Sequence, residues 1–144
     1  MNPAAIRVAR LAGAIGAEIS GIDLRQPLSA EQCAAVRRIW LENGVVFLRD
    51  QPLTPDQFLA FAQAIGTPVE YPFVNGIAGY PTIIEVKKLE HEKVNFGGVW
   101  HTDTAYLERP PMATLLLARE VPPQGGDTMF ASQVAAYEAL SEGM

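Results

Sequence analysis

Residues 28–50, LSAEQCAAVRRIWLENGVVFLRD, carry the clearest structural signal in the chain. Ser29 followed three positions later by Gln32 is a capping-box pattern, and Gly44 stands where a helix ends. The apolar residues expected to face inward have helical spacing: Cys33, Val36 and Trp40. The run VVFLRD after the glycine predicts a buried strand, so this segment predicts a helix followed at once by a strand.

The rest of the chain repeats both elements. TPDQFLAFAQAIG, from Thr54 to Gly66, predicts a second helix with Pro55 in its first turn, and SQVAAYEAL opens a third. The apolar face of the second helix is expected to pack on the core: Phe58, Phe61, Ala62 and Ile65. Further strands are expected at residues 6–10, 17–24, 81–89, 99–106 and 112–121. The order predicts a mixed α+β fold, mostly antiparallel β with helices packed outside.

Bulk composition limits the classes of function. The 144 residues predict a single domain over 1–144, and 49% apolar with 19% charged residues indicates a globular chain. A net charge of −5 without a Lys or Arg block argues against nucleic acid or a membrane surface as partner. No apolar run is long enough to predict a membrane span. The lone Cys33 suits a reducing compartment, so we expect a cytoplasmic protein.

GGVWHTDTAY, residues 97–106, contains the most chemically suggestive pair. Residues i and i+2 of a strand share a face, so His101 and Asp103 are expected to point at one place. One imidazole and one carboxylate could supply two ligands of the 2-His-1-carboxylate triad that binds Fe(II) in non-heme oxygenases. The other interpretation is an ordinary histidine hydrogen-bonded to a carboxylate, with Trp100 packed in the core beside it. His91, in the charged run LEHEK, is expected to be a solvated loop residue rather than a third ligand.

The chain from residue 99 to 140, VWHTDTAYLERPPMATLLLAREVPPQGGDTMFASQVAAYEAL, resembles the TauD/TfdA (taurine dioxygenase-like) family of Fe(II)- and 2-oxoglutarate-dependent dioxygenases. GAEISGIDLRQPLS, GVVFLRDQPLTPDQF and AIGTP extend the resemblance over nearly the whole chain. It implies a double-stranded β-helix (a jelly-roll, clavaminate synthase-like) with flanking helices. It also implies His101 and Asp103 as iron ligands, with Fe(II), 2-oxoglutarate and O2 as cofactors.

GGDT, residues 125–128, is a second motif of the resemblance. The two glycines permit a tight turn, and the resemblance implies that Thr128 gives a hydroxyl contact to a carboxylate of 2-oxoglutarate. A plain β-turn is the other interpretation of these four residues.

The same resemblance indicates what this sequence lacks. Family members carry a distal histidine and a 2-oxoglutarate-binding arginine far downstream, and neither position is reached before Met144. We therefore expect an N-terminal part of a dioxygenase domain, with an incomplete β-helix and an absent third ligand. Residues 1–144 alone are expected to be inactive and to need the missing C-terminal portion as a partner, and a homo-oligomer is a further open possibility.

The loop from 67 to 79, TPVEYPFVNGIAG, is the candidate substrate loop. Aligned through AIG, the taurine enzyme's histidine and tyrosine fall at Tyr71 and Val74, and a further polar contact falls at Gly97. These departures disfavour taurine itself. Tyr71, Phe73 and Asn75 are expected to line a more apolar pocket, unless the loop is only a surface connection.

The sequence therefore predicts an Fe(II)- and 2-oxoglutarate-dependent dioxygenase. It would hydroxylate a small organic substrate and release succinate and CO2, and a sulfonate, sulfate ester or carboxylate substrate stays open. The alternatives are a non-catalytic truncated jelly-roll that acts as a binding or interaction protein, and a metal enzyme of another class that turns over without 2-oxoglutarate.

Overall fold

The computed structural model of the chain describes residues 5–93 and 97–144. The elements in chain order are β1 (Arg7–Arg10), β2 (Ala17–Ser20), α1 (Ala30–Asn43), β3 (Val46–Phe47), α2 (Pro55–Ile65) and α3 (Gln133–Glu138). The mixed α+β prediction is confirmed for this part of the chain. None of the helices in the described residues is long and apolar enough to cross a membrane.

The three strands form one small sheet in the order β1-β2-β3. β1 and β2 are antiparallel, with Arg7 opposite Ser20, and β2 runs parallel to β3, with Ala17 opposite Val46. Two parallel strands need a crossover connection, and α1 provides it between β2 and β3. Alternate residues of β2 are buried, so one face of the sheet lies on the core.

Both long helices begin as their sequences predict. The Ser29 hydroxyl accepts a hydrogen bond from the Gln32 amide at 3.2 Å, and the Gln32 side chain accepts one from the Ser29 amide at 2.9 Å. Thr54 and Gln57 form the same reciprocal pair at the start of α2. At the end of α1, Gly44 adopts a φ of 70°, a left-handed conformation that favours glycine. These predictions hold because capping depends only on residues within one helical turn.

The core lies between α1 and β2. Its buried cluster consists of Ala17, Ile19, Val36 and Ile39. The predicted inward stripe was wrong in one respect: Ile39 is 5% exposed, whereas Cys33 and Trp40 are only half-buried. Val36 and Ile39 are three residues apart, which places them on one narrow face of α1. The apolar face predicted for α2 is likewise only half-buried.

Several predicted strands are absent from the described residues. Residues 81–89, 99–106 and 112–121 are not strands, and the segments 17–24 and 45–50 form strands only at Ala17–Ser20 and Val46–Phe47. An extended segment becomes a strand only where a neighbour supplies partners for its N–H and C=O groups, and the described segments do not align in that way. The described chain therefore shows a small partial sheet, and not the complete double-stranded β-helix of the prediction.

Exposed apolar side chains are concentrated in the second half of the described chain. Trp100, expected in the core, is 68% exposed, and Leu116 is 70% exposed. Trp100 is exposed for the same reason that the predicted strands are not formed: no described segment packs against residues 99–121 on the side where Trp100 lies.

Candidate metal centre

His101 and Asp103 lie side by side, as the motif predicts. His101 Nε2 is 3.2 Å from Asp103 Oδ1, and both side chains are about half exposed, at 50% and 53%. Their backbone is irregular and turned rather than a strand. The expected convergence of the two side chains is present, but strand alternation does not produce it.

A left-handed residue directly after the pair turns the chain. Thr104 has a φ of 45°, and its carbonyl accepts a hydrogen bond from the Leu107 amide at 3.0 Å. A β-branched residue rarely adopts this conformation, which persists only where the surroundings hold it. Thr104 is 6% exposed and is the buried polar residue of the described chain, so its packing can hold the turn. The turn ends the extended direction of the chain immediately after Asp103.

The hydrogen-bond partner of the second imidazole nitrogen of His101 decides which tautomer the ring adopts. Nδ1 lies 2.7 Å from the Val99 carbonyl oxygen, which can only accept a hydrogen bond, so Nδ1 carries a proton. In the neutral imidazole Nε2 then presents a lone pair, and that lone pair faces the Asp103 carboxylate. Nε2 and Oδ1 are both electron-rich and lie 3.2 Å apart, so a cation bound by both atoms would relieve the repulsion between them. A backbone acceptor on the other nitrogen is the usual arrangement of a metal-binding histidine.

The donor set fits Fe(II) as two of its ligands. Nitrogen and oxygen donors with metal bonds of about 2.1 Å can both reach one ion when they are separated by the 3.2 Å observed here. The other carboxylate oxygen, Oδ2, accepts a hydrogen bond from the Thr114 hydroxyl at 2.8 Å. Among the described residues no group of three or more His, Cys, Asp or Glu side chains could hold a metal. Within the described residues the pair therefore has no third such side chain beside it, and His91 is exposed in a turn.

Gly97 lies against the imidazole of His101. It has a φ of +68°, and a Cβ atom added there would be 3.2 Å from His101 Cε1. The absence of a side chain at this position thus leaves space for the ring. From the sequence, Gly97 was identified only as the position where a polar substrate contact of the taurine enzyme is absent.

Thr128 follows two glycines with left-handed φ values, and the chain bends just before them, at residues 123–124. Gly125 and Gly126 adopt left-handed φ values of 77° and 75°, which glycine accepts at little cost. Thr128 itself is exposed, and within the described residues it makes no hydrogen bond to His101 or Asp103. The tight turn predicted at residues 125–128 is not formed in the described chain, and the contact of Thr128 with 2-oxoglutarate stays a prediction.

The candidate substrate loop encloses a cleft of about 260 Å³. The cleft is lined by Glu70, Tyr71, Val74, Asn75, Gly76, Ile77, Gly79 and Pro81. Tyr71 and Asn75 are thus in the lining, whereas Phe73 is outside it and 61% exposed. Glu70 makes the lining less apolar than predicted.

Phe73 connects this loop with the segment that carries His101 and Asp103. Its ring centroid is 5.4 Å from that of Tyr71 and 6.4 Å from that of Tyr106. Tyr106 is a residue that sequence reasoning missed, although its position three residues after Asp103 was an available signal. The aromatic series Tyr71–Phe73–Tyr106 brings the substrate loop to the segment that carries His101 and Asp103.

A hydrogen bond holds the far end of the loop on α2. The Tyr80 hydroxyl donates to Asp56 Oδ1 at 2.8 Å. This bond to a carboxylate favours the protonated phenol and raises the pKa of Tyr80 above its ordinary value. The loop is therefore anchored next to the cleft.

Comparisons with known proteins place the chain in a family. The model of the family described as "Taurine catabolism dioxygenase TauD, TfdA family" matches residues 7–144. An alpha-ketoglutarate-dependent sulfate ester dioxygenase of Pseudomonas putida is 35% identical over 133 residues, which cover 92% of this chain and 43% of the relative. An alkylsulfatase of Acinetobacter baylyi is 34% identical, with 95% of this chain and 43% of the relative covered.

Solved structures agree with the sequence comparisons. A crystal structure titled as a putative alpha-ketoglutarate-dependent taurine dioxygenase from Burkholderia xenovorans matches with a TM-score of 0.81 and 38% identity, over 96% of this chain and 49% of that one. The chain thus spans half or less of the length of these relatives. It belongs to the TauD/TfdA family of dioxygenases, whose cofactors are Fe(II), 2-oxoglutarate and O2.

Proposed function

We propose that this chain supplies two iron ligands, His101 and Asp103, to a dioxygenase that hydroxylates a small organic substrate and releases succinate and CO2. One observation carries the proposal: His101 Nε2 and Asp103 Oδ1 face each other at 3.2 Å. The remaining donor atoms of both side chains are already engaged, with Val99 and Thr114 respectively. Two lone pairs aimed at one point, each fixed from behind, are what a metal site requires.

The chain's own residues bind the metal ion and orient the cosubstrate. His101 and Asp103 hold the ion, and the hydroxyl of Thr128 binds a carboxylate of the cosubstrate. When bound, Fe(II) with 2-oxoglutarate supplies the activation of O2 and the oxidative decarboxylation that yields succinate. Phe73 and Tyr106, whose ring centroids are 6.4 Å apart, provide apolar surface near the segment that carries His101 and Asp103.

For the substrate we propose an anionic small molecule, with a sulfate ester or sulfonate preferred to a carboxylate. The support is that the Pseudomonas putida relative is a sulfate ester dioxygenase and that the Acinetobacter baylyi relative is an alkylsulfatase. Glu70 in the cleft would repel an anionic group, so we assign the cleft and the aromatic series to the organic part of the molecule. Tyr71, Phe73 and Asn75 are the residues proposed to contact it.

We also propose that residues 1–144 alone do not turn over. The described residues offer two ligands, and the relatives are more than twice as long as the region that they share with this chain. Assaying succinate formation with the 144-residue chain and with the full-length protein tests this directly. Turnover by the shorter chain would contradict it.

An anaerobic titration tests the metal assignment. Fe(II) and 2-oxoglutarate are added to the full-length protein, and the weak visible charge-transfer band of the iron–cosubstrate chelate is recorded. His101→Ala and Asp103→Ala are each expected to abolish the band and the formation of succinate. His91→Ala is the matched control, because His91 is the other histidine and lies in an exposed turn. Full activity in either ligand variant, or metal binding without the band in the unmodified protein, would count against the proposal.

The exposed apolar residues favour a second candidate, a non-catalytic interaction module. Val99 is 78% exposed and Tyr137 is 77% exposed, and such surface promotes association. This candidate predicts metal-independent self-association that His101→Ala leaves unchanged. Sedimentation and succinate formation of the full-length protein, each measured with and without a chelator, separate the two candidates. An iron enzyme loses activity on chelation whether or not it associates, whereas an interaction module associates equally in both conditions and forms no succinate.

A further inference from the structure

Thr114 makes the contact that carries a further inference. Its hydroxyl donates a hydrogen bond to Asp103 Oδ2 at 2.8 Å, across eleven residues of sequence. We infer that Thr114 is a positioning residue, which holds the Asp103 carboxylate so that only Oδ1 is directed to the metal. The inference rests on the proposed function, because it presupposes that Asp103 is a ligand.

A carboxylate left to itself has no fixed orientation. The terminal torsion of an aspartate is broad and roughly two-fold, so either oxygen, or both, can face a neighbouring cation. A donor on Oδ2 removes that freedom and leaves Oδ1, the oxygen 3.2 Å from His101 Nε2. One oxygen per carboxylate also leaves more coordination positions for a chelating cosubstrate and O2.

Thr114 can restrain Asp103 because its own segment is held at both ends. Arg37 of α1 contacts the sulfur of Met112 at 3.4 Å. At the other end, Arg119 donates to the Leu53 carbonyl oxygen at 2.7 Å. The first anchor is on the helix that forms the core, and Leu53, 3% exposed, directly precedes the N-cap of α2.

The orientation of the segment presents Thr114 away from the core. Ala113, Leu115 and Leu117 are half-buried, whereas Thr114 and Leu116 are exposed. This alternation is that of an extended chain with one face on the protein. The Thr114 hydroxyl is thereby free of the core and available to Asp103, and its loss should not create a cavity.

The test compares Thr114→Val, which has the shape of threonine without the hydroxyl, with Thr114→Ser, which keeps the hydroxyl. Thr102→Val is the matched control, because Thr102 is also exposed, lies between the two ligands and makes no hydrogen bond in the described chain. Fe(II) alone is titrated anaerobically into the full-length protein and followed by calorimetry. Thermal unfolding of each metal-free variant is recorded in parallel.

We expect Thr114→Val to weaken Fe(II) affinity by roughly 10- to 100-fold, as loss of a partner of a metal ligand usually does. Thr114→Ser should bind within a few-fold of the unmodified protein, and Thr102→Val should be unchanged. Equal losses in Thr114→Val and Thr114→Ser, equal losses in Thr114→Val and Thr102→Val, or full affinity in Thr114→Val would each overturn the inference. Asp103→Ala distinguishes failure of the proposed site from failure of the inference about Thr114. If Asp103→Ala binds Fe(II) with normal affinity, the proposed site itself is wrong. If Asp103→Ala loses Fe(II) affinity while Thr114→Val keeps it, only the role of Thr114 is refuted.

Discussion

Gly97→Ala is the substitution that tests most directly how the imidazole of His101 is held. Gly97 has a φ of +68°, and the new Cβ would lie 3.2 Å from Cε1 and 3.8 Å from Nε2 of the ring. The first distance is too short for relaxed carbon contacts, so the ring has to shift. A shift acts on the hydrogen bond from Nδ1 to the Val99 carbonyl, which is 2.7 Å long.

Gly97→Ala is expected to have two separable costs, one in the free energy of unfolding and one in metal affinity. A left-handed conformation at a non-glycine residue costs about 1–2 kcal/mol, which lowers the free energy of unfolding. Loss of the hydrogen bond to Val99 is expected to cost about 0.5–1.5 kcal/mol, which in metal affinity is roughly a two- to tenfold loss. Gly79→Ala is the matched control, because Gly79 has a φ of +82° and no atom within 4 Å of an added Cβ. Gly79→Ala therefore has the backbone cost of a left-handed alanine but does not displace the His101 ring.

The assay pairs denaturant unfolding with anaerobic Fe(II) titration of the full-length protein. Both variants are expected to lose similar stability, and only Gly97→Ala should lose metal affinity. If the affinities of the two variants fall together, the backbone cost alone is responsible. If neither falls, the ring does not occupy the position described, and the geometry assigned to His101 is wrong.

Three further predictions concern the scaffold. Ile39→Ala removes a side chain that is 5% exposed and should cost about 2–5 kcal/mol in urea unfolding, whereas Leu41→Ala, at a 63% exposed position, should cost far less; equal costs would contradict the packing of α1. Ser29→Ala removes the hydroxyl that accepts from the Gln32 amide but keeps the backbone N–H that donates to the Gln32 side chain. It should lower the free energy of unfolding by about 0.5–2 kcal/mol, and an unchanged midpoint would contradict the cap. Hydrogen bonds from the Arg25 side chain hold the pKa of Asp23 below its ordinary value, so Arg25→Ala should raise that pKa in a carboxyl NMR titration. Because the pKa of Asp23 is depressed on folding, its contribution to stability is present above the unfolded-state pKa and is lost as pH falls through the folded-state pKa. The variant should lose the part that the Arg25 side chain provides and keep the part from the backbone amide of residue 25, which still donates to Asp23 Oδ1. An unaltered titration would contradict the pair.

Features decided within a few residues were predictable from the sequence. The caps of α1 and α2 depend on Ser29 and Thr54 with the residues three positions on, and the structure forms both. The left-handed φ values of Gly125 and Gly126 are of the same kind. Each rests on one local hydrogen bond or one backbone conformation, so no distant segment is needed to form it.

Features that need a distant partner were not predictable. Residues 112–121 have the alternation and apolar content of a strand, yet the described chain gives them no paired neighbour, and they are not a strand. Hydropathy reports the preference of a segment, whereas pairing depends on which other segment lies alongside it. The contact between Phe73 and Tyr106 and the hydrogen bond from Thr114 have no sequence signal for the same reason.

The arrangement of the two proposed ligands, His101 and Asp103, depends on both local and distant residues. Their proximity is local and was predictable, whereas the orientation of the Asp103 carboxylate depends on a distant residue and was not. His101 and Asp103 are two residues apart, so an extended strand and the turn made by Thr104 both keep them close, and the wrong backbone prediction still gave the right neighbours. Proximity alone does not decide which oxygen of Asp103 faces the metal. That choice depends on Thr114, and the segment of Thr114 depends in turn on Arg119 and the Leu53 carbonyl. Substitutions at Arg119, which contacts neither ligand, should therefore alter metal affinity through the orientation of the carboxylate.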